Sequence, residues 1–578
     1  MPLITETDVL VVGAGPAGLS AALCLARLGI RVKIVERRIL GEVAGQADGI
    51  QSRTVEIWDN LGMGDKLRQL GTTVYQLATY APNEDQTGIK LANKVLNIPL
   101  PSARYPYELI LHAKHMEEIM RDALSGVQVH VEQPCGRAIS YQAERLAASK
   151  IQPYEREKAI SDQSLVDHVE TIRARYVIAC DGAHSWVRQQ CGITMEGTSP
   201  GLAYGVIDFT PVTDFPTSRA KNILQSPLSG ALGYIPKPNN TARLYILLKD
   251  PDVIQDLDQS SDKERTRKIS QIITNGFLPY DMRVENVTWC NTYKVSQRVA
   301  SRFSHKGCIF VAGDACHIHS PNAGQGANVS MVDAYNLSWK LAYVMRGWAS
   351  KAILDTYELE RRPYSLELIE FDKVIEKLFR PEGLSPDEFA QLWHRHLLFI
   401  TGLGLRYKSP LIVSDRFHDT MAGATIGQRF PPVEVIRYMD WTPCNTLDII
   451  GYSMKFKLIV FAGDTTKPAI KQRCVDFIDK LSQTSRLREL VTTSIVLCVK
   501  KEESISGFIQ LQGNMIDTQI FIDDGINPGR NPGLAHEIFK VSPDMGASAL
   551  IRPDGHVAMV IPVSSDQVHL IEEYLSSL

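Results

Sequence analysis

The stretch Asp8–Glu36, DVLVVGAGPAGLSAALCLARLGIRVKIVE, carries the information that decides the fold. Val9-Leu10-Val11-Val12 is a short apolar run, the pattern of a strand buried on both faces. Gly13-Ala14-Gly15-Pro16-Ala17-Gly18 follows at once, and Ala17 to Leu28 has helical composition closed by Gly29. A second strand, Arg31 to Val35, ends on Glu36. Each glycine has a separate reason: Gly13 for the tight turn, Gly15 for close approach of a pyrophosphate, Gly18 for helix–strand packing. The N-terminus of that helix offers unpaired N–H groups and positive dipole to the phosphates. Glu36 stands 18 residues after Gly18, placed to accept hydrogen bonds from a ribose. Strand, loop, helix, strand and acid in this order predict a Rossmann-like dinucleotide unit. The motif alone does not separate FAD from NAD.

Two later stretches narrow the choice. Tyr176-Val177-Ile178-Ala179 reads as a buried strand and runs into Cys180-Asp181-Gly182. Cys308-Ile309-Phe310-Val311-Ala312 is another, running into Gly313-Asp314. Ser320-Pro321-Asn322-Ala323-Gly324-Gln325-Gly326-Ala327-Asn328 comes next, followed by a helix to about Met345. Gly45 to Thr54, GQADGIQSRT, and Tyr293-Lys294-Val295-Ser296-Gln297-Arg298 are further distinctive segments.

Taken in order, these motifs resemble the single-component, class A FAD-dependent aromatic hydroxylases, and within them the phenol 2-monooxygenase-like branch. The resemblance implies an α/β chain. It would have a Rossmann-like FAD-binding domain of the p-hydroxybenzoate/phenol hydroxylase type, a β-sheet substrate domain and a C-terminal thioredoxin-like domain. It implies FAD and NADPH as cofactors and oxygen transfer from O2 through a C4a-hydroperoxyflavin. Asp314 of the Gly313-Asp314 pair would hold the FAD ribitol, and Gly324, Gln325, Gly326, Ala327 and Asn328 would cradle the flavin. The N-terminus of the following helix suits an anionic reduced flavin. Asp181 and Gly182 are associated with FAD and NADPH, and Arg53 with the cofactor phosphates; Arg37, Gln46 and Arg243 are expected with them. Read alone, Asp181 at a strand end is equally a helix cap.

In the same resemblance Asp48, Tyr245 and Tyr293 surround the phenol, and Pro321 lines the wall near the reactive flavin carbon. A phenolate ring is far more nucleophilic than a phenol, so a positioned base speeds oxygen transfer by roughly 10²–10⁴. Asp48 is the candidate base; read alone, it caps a loop before Gly49. Ala242 to Leu248, ARLYILL, alternates charged or aromatic residues with aliphatics, as a half-buried strand does. Two positions depart from the branch. Lys237 stands where an arginine is usual eight residues before Tyr245, and lacks the planar fork. His112 stands where glutamine is usual beside the flavin. Both put simple phenol in doubt as the substrate.

Competing readings remain. The same flavin chemistry serves Baeyer–Villiger insertion, epoxidation or dearomatisation of a larger metabolite. A halogenase is disfavoured because no W-x-W pair occurs among the seven tryptophans. His317-Ile318-His319 and His394-Arg395-His396 have i,i+2 spacing with no Cys or carboxylate ligand seen beside them, so no metal is expected.

The expected layout is 1–90 FAD-binding (first part), 91–195 a mixed FAD/substrate region, 196–300 the substrate-binding β-sheet, 301–400 FAD-binding, 401–430 a linker and 431–578 thioredoxin-like. No C-x-x-C pair occurs, so thiol exchange by that last domain is excluded. It is expected to be structural, at a homodimer interface or over the FAD domain. Sixty-two basic and 65 acidic residues give a net charge of −3 over 578 residues, no electrostatic case for nucleic acid or an anionic membrane. No apolar run approaches the roughly 18 residues of a membrane span. Glu6 and Asp8 stand where a signal peptide has its basic region. Ten cysteines read as reduced thiols of a cytoplasmic enzyme.

Overall fold

A computed structural model describes residues 3–38, 47–127, 129, 131–132, 140–143, 149–150, 170–321, 324–378, 386–502, 518–524 and 533–578. Two compact units emerge. The first comprises residues 1–58, 62–335 and 361–402; the second comprises 59–61, 336–360 and 403–578.

The first unit is built on a sheet whose centre is parallel. Leu3–Val12 lies between Val32–Val35 and Glu170–Ala179, and Ile309–Val311 pairs with the far edge of Glu170–Ala179. The register is the important fact. Val12 pairs with Val35 and with Ala179, and Ala179 pairs with Val311. Four strands therefore end abreast, and the Gly13 loop, Glu36, the Asp181-Gly182 pair and the Gly313-Asp314 pair leave them side by side. Ligands of open α/β sheets bind outside the carboxyl ends of the strands. The helix expected after Gly15 is Pro16–Arg27, with Pro16 in its first turn and Leu19, Leu23 and Leu25 fully buried.

A second, seven-stranded sheet in this unit runs Met282–Lys294, Ala203–Thr213, Ala242–Leu248, Gly230–Pro236, Lys221–Ser226, Gln76–Pro82, Ile89–Leu96. The last two strands come from far upstream of the 196–300 segment. One expectation about this sheet fails: Ala242–Leu248 is not half-buried. Only Tyr245 is partly accessible, and Arg243 is 2% exposed. The reason lies across the strand pair, where Arg243 sits opposite Asp208 and is neutralised there.

The second unit holds another seven-stranded sheet: Pro443–Asn445, Glu434–Arg437, Gln519–Ile522, Val491–Leu497, Phe456–Gly463, Ala547–Ile551, Val557–Pro562. The middle three are parallel, and the last two form an antiparallel hairpin against Phe456–Gly463. Residues 403–430 belong to this unit, with Ile426 and Phe430 buried in its core. Among the described residues no helix is long and apolar enough to cross a membrane.

Candidate active site

At the strand ends, four glycines differ in what surrounds them. Gly13 has φ +99°, and a Cβ there would meet the Cys180 carbonyl oxygen at 2.4 Å. A Cβ on Gly18 would meet the Gly13 carbonyl oxygen at 1.9 Å. Gly15 and Gly182 have nothing within 4 Å of that position. The first two glycines thus close the loop onto the protein, and the other two leave an open, backbone-lined face. A cofactor diphosphate needs such a face, and the residues present fit one.

The acids around this face are engaged with the chain. The Ala14 and Arg38 N–H groups donate to the two oxygens of Glu36, both at 2.7 Å. Asp181 accepts from the Ser185 hydroxyl and from the Val187 N–H at 3.1 Å, beside Ser185, which caps the helix Trp186–Gln190 by accepting from Arg188 N–H. Burial raises its pKa. Asp314 is exposed at the sheet edge, and Arg37 is exposed. Arg53 is buried and pairs with Glu56 at 3.1 Å. Asn328 joins two segments: its amide donates to the Gly49 and Gly324 carbonyls, and its oxygen accepts from Gln51 N–H. Gln325 donates to the Ile400 carbonyl. Gln46, Asn322 and Ala323 lie outside the described residues.

Asp333 was missed by sequence reasoning. Wholly buried, it accepts from Gly313 N–H at 3.2 Å, from His317 Nε2 at 2.8 Å and from Arg361 at 2.7 Å, so it fixes the turn that carries Asp314. Its placement also corrects the reading of His317. Cys316 and Asp333 do accompany it, with candidate ligand atoms of the three within 4.8 Å of one another. Sequence spacing could not show this, because Asp333 comes from the following helix.

The substrate-side residues converge on a cluster of alternating charges. Lys237 Nζ lies 3.0 Å from Asp48 and 2.9 Å from Asp208. Arg243 lies 3.3 Å from Asp48 and donates to both Asp208 oxygens at 2.6 and 2.7 Å. None of the four is more than 3% exposed. Burial alone would raise the Asp208 carboxyl, but the Arg243 hydrogen bonds and both cationic charges outweigh it and hold it below its usual value. Burial pushes the Tyr245 hydroxyl up to about 12, against the opposing effect of the nearby Arg243 charge. Tyr245 is therefore protonated at neutral pH and has its hydrogen to offer.

His112 caps the helix Ala113–Ser125, accepting from Lys114 N–H through Nδ1 at 3.1 Å. Burial, then the Lys237 charge, lowers its pKa, so it is neutral near pH 7. Tyr293 stands with its ring partly exposed and its hydroxyl turned inward, donating to the His319 carbonyl at 3.1 Å. Burial of that hydroxyl, then the charges of Asp314 and Asp372, push it up to about 12. Pro321 is set by Asp372, which accepts from the N–H and hydroxyl of Ser320. A small pocket with a cavity volume of about 40 Å³ is lined by Tyr204, Lys221, Ile235, Tyr245 and Pro321, among others. The structure thus brings Asp48, Lys237, Arg243 and Tyr245 together, with Tyr245 and Pro321 on one pocket wall. Asp208 was also missed. Its only signal is a lone acid inside the otherwise apolar or small run Ala203–Phe209.

Comparison with known proteins gives this geometry a family. The profile described as "FAD binding domain" matches residues 6–372, and "Phenol hydroxylase, C-terminal dimerisation domain" matches 405–578. The chain belongs to the class A FAD-dependent aromatic hydroxylases. This FAD-dependent monooxygenase is 30% identical over 606 residues to a 3-hydroxybenzoate 4-monooxygenase of Comamonas testosteroni, covering 97% of this chain and 93% of that one. It is 28% identical over 592 residues to the phenol 2-monooxygenase fsqG of Aspergillus fumigatus, covering 99% and 96%. Its fold matches the flavin-dependent monooxygenase PieE solved with FAD and substrate, with a TM-score of 0.68 at 20% identity and 99% of both chains covered. Aklavinone-11 hydroxylase solved with FAD and aklavinone gives a TM-score of 0.69, also at 20% identity and 99% coverage of each. Residues 405–578, the larger part of the second unit, are accordingly the thioredoxin-like phenol hydroxylase C-terminal domain.

Proposed function

We propose that this monooxygenase hydroxylates the ring of a phenol, using NADPH and O2. The observation that carries the reading is the buried Asp48–Lys237–Arg243 group joined to Tyr245, whose ring lines the pocket. Such a group binds a phenolic oxygen and manages its proton. Tyr245 offers its O–H to that oxygen, with the Arg243 charge beside it favouring that donation. Asp48 accepts the phenol proton, and Lys237 and Arg243 stabilise the resulting negative charge on the ring oxygen.

Bound FAD, once reduced, supplies an electrophilic oxygen derived from O2. In this reading the residues that hold it are those at the strand ends and the loop after Pro321. They are Gly13, Gly15, Pro16, Ala17, Gly18, Glu36, Arg37, Gln46, Arg53, His112, Asp181, Gly182, Arg243, Gly313, Asp314, Pro321, Gly324, Gln325, Gly326, Ala327 and Asn328. Two relatives named for the hydroxylation of phenols support the choice of substrate class. The matched dimerisation domain supports a homodimer. A panel of phenols, 3-hydroxybenzoate among them, tests the reading. At least one is expected to stimulate NADPH oxidation and yield a product heavier by one oxygen atom. No stimulation and no oxygenated product with any phenol would sink it.

A further inference from the structure

Resting on that reading, we propose that Asp208 is a positioning residue for the hydroxylation: it holds Lys237 and Arg243 between itself and Asp48 and takes up part of their charge. The four residues come from four separate segments. Asp48 precedes the strand Gly49–Ile50, Asp208 lies on Ala203–Thr213, Lys237 follows Gly230–Pro236, and Arg243 lies on Ala242–Leu248. Arg243 is directly opposite Asp208 in the antiparallel pair, so the sheet register itself fixes that contact. On the other side of Asp208, the strand Met282–Lys294 presents Trp289, over whose ring the Arg243 guanidinium sits at 5.5 Å.

The bond geometry is unequal. Asp208 receives aligned hydrogen bonds from Lys237 at 2.9 Å and from Arg243 at 2.6 and 2.7 Å. The Asp48 Oδ2 atom lies 3.0 Å from Lys237 and 3.3 Å from Arg243, yet neither contact has hydrogen-bond alignment. The cations are therefore tied down by Asp208 and merely adjacent to Asp48. Two charges of each sign cancel in a space that excludes water, where an unmatched charge is strongly unfavourable. With Asp208 present, Asp48 is left able to exchange a proton with a phenol. Without it, two cations would turn onto one carboxylate, and protonation of the cluster would become harder.

Among the described residues, the remaining charged and titratable groups around the cluster are few. His112 faces it from the N-terminus of Ala113–Ser125, and it is neutral near pH 7. Tyr245 faces it from the strand of Arg243. Arg219 donates to the Lys237 carbonyl at 3.4 Å, from the segment before Lys221–Ser226.

The test compares Asp208→Asn, Asp208→Glu and Asp48→Asn in the full-length holoenzyme. The probe is the panel phenol that gives the native enzyme most product, and the readout is the ratio of product to NADPH consumed from pH 5 to 9. Asp208→Asn is expected to keep bound FAD, to lose about tenfold in that ratio at pH 7, and to have the acid limb of the ratio displaced toward lower pH. Asp208→Glu restores the carboxylate and is expected to hold the limb at its native position with a smaller loss. An Asp208→Asn enzyme with native ratio and native limb overturns the inference. So does an equal loss in both Asp208 variants with the limb unmoved. If Asp208→Asn does not accumulate as folded protein, Asp208→Glu decides: a native limb supports the role, a displaced one overturns it. Asp48→Asn separates this from the parent reading. If it stays coupled, or if the native enzyme gives no product, the reading itself falls; if it uncouples and Asp208→Asn does not, only the inference falls.

Discussion

At the scale of single residues, Asp48 is where chemistry and structure are most tightly joined. Asp48→Asn keeps the size of the side chain and removes the carboxylate proposed to accept the phenol proton, beside Lys237 and Arg243. Flavin reduction does not require that proton, so NADPH oxidation is expected to continue. Product should fall by about 10²-fold, with hydrogen peroxide in its place, if the whole base contribution is lost. Raising the pH should recover part of the coupling, because solvent then supplies the phenolate. Equal losses of NADPH oxidation and product, with no recovery at high pH, would reduce Asp48 to a loop-shaping residue. Which residues to look at was legible because Asp48, Lys237 and Tyr245 sit in motif-bearing segments. Their true setting was not, because Asp208 and Asp333 belong to no local motif. Each acquires its partners only when strands or helices distant in sequence come into register.

At the scale of elements, the helix and second strand of the first unit were read to within a residue, since apolar periodicity and obligatory glycines are local signals. The first strand, by contrast, begins at Leu3, five residues before the stretch read from Asp8. The structure puts distances on the separate reasons read for Gly18 and Gly15: a Cβ on Gly18 would strike the Gly13 carbonyl, whereas one on Gly15 meets nothing within 4 Å. Gly18→Ala places a methyl group 1.9 Å from the Gly13 carbonyl oxygen, so loop or helix must shift. That variant is expected to lower the thermal midpoint of the cofactor-stripped protein, by about 1 °C for each ~1 kcal/mol lost. Gly15→Ala meets nothing within 4 Å and should leave that midpoint unchanged. It should instead weaken FAD binding, by about tenfold or more, because the methyl group occupies the face on which a diphosphate would lie. Thermal denaturation without cofactor and fluorescence titration with FAD read the two effects separately. Equal effects of the two substitutions in both assays would remove the distinction. The strand Ala242–Leu248 shows the opposite case. Its alternation predicted a half-buried strand, and burial of Arg243 became possible only through an acid on the neighbouring strand.

At the scale of the whole molecule, the second unit is not a continuous tail. It draws residues 336–360 into the same compact body as 403–578. Sequence order hid this, because that segment belongs to helices that begin or end in the first unit. Its consequence is a wholly buried group of four charges. Arg552 donates to Glu360 at 2.7 and 3.0 Å and to Asp554, while Lys340 donates to Glu360 at 2.7 Å. Burial would raise the Glu360 carboxyl, but Arg552 and Lys340 bring it down to about 2. Burial lowers the Lys340 ammonium to about 8. The two contribute in opposite senses. Glu360 has a folded value below its unfolded one, so its stabilisation is complete above about pH 4.5 and is lost as pH falls toward 2. Lys340 also has a lowered folded value, but as a cation, so the unfolded chain binds the extra proton between about 8 and 10.5. Its contribution alone makes stability rise with pH in that window. Glu360→Gln leaves two buried cations facing only Asp554, and breaking such a buried set costs about 3–5 kcal/mol. Hydrogen exchange of the hairpin Ala547–Ile551 and Val557–Pro562 reports the opening of this unit. At pH 7 the variant hairpin is expected to exchange at least a hundredfold faster than the native one. As pH is lowered from 5, the native protein should lose protection more steeply than the variant, which no longer has that carboxyl to protonate. Native protection in Glu360→Gln, or parallel pH dependences, would mean that the four charges merely cancel and hold nothing in place.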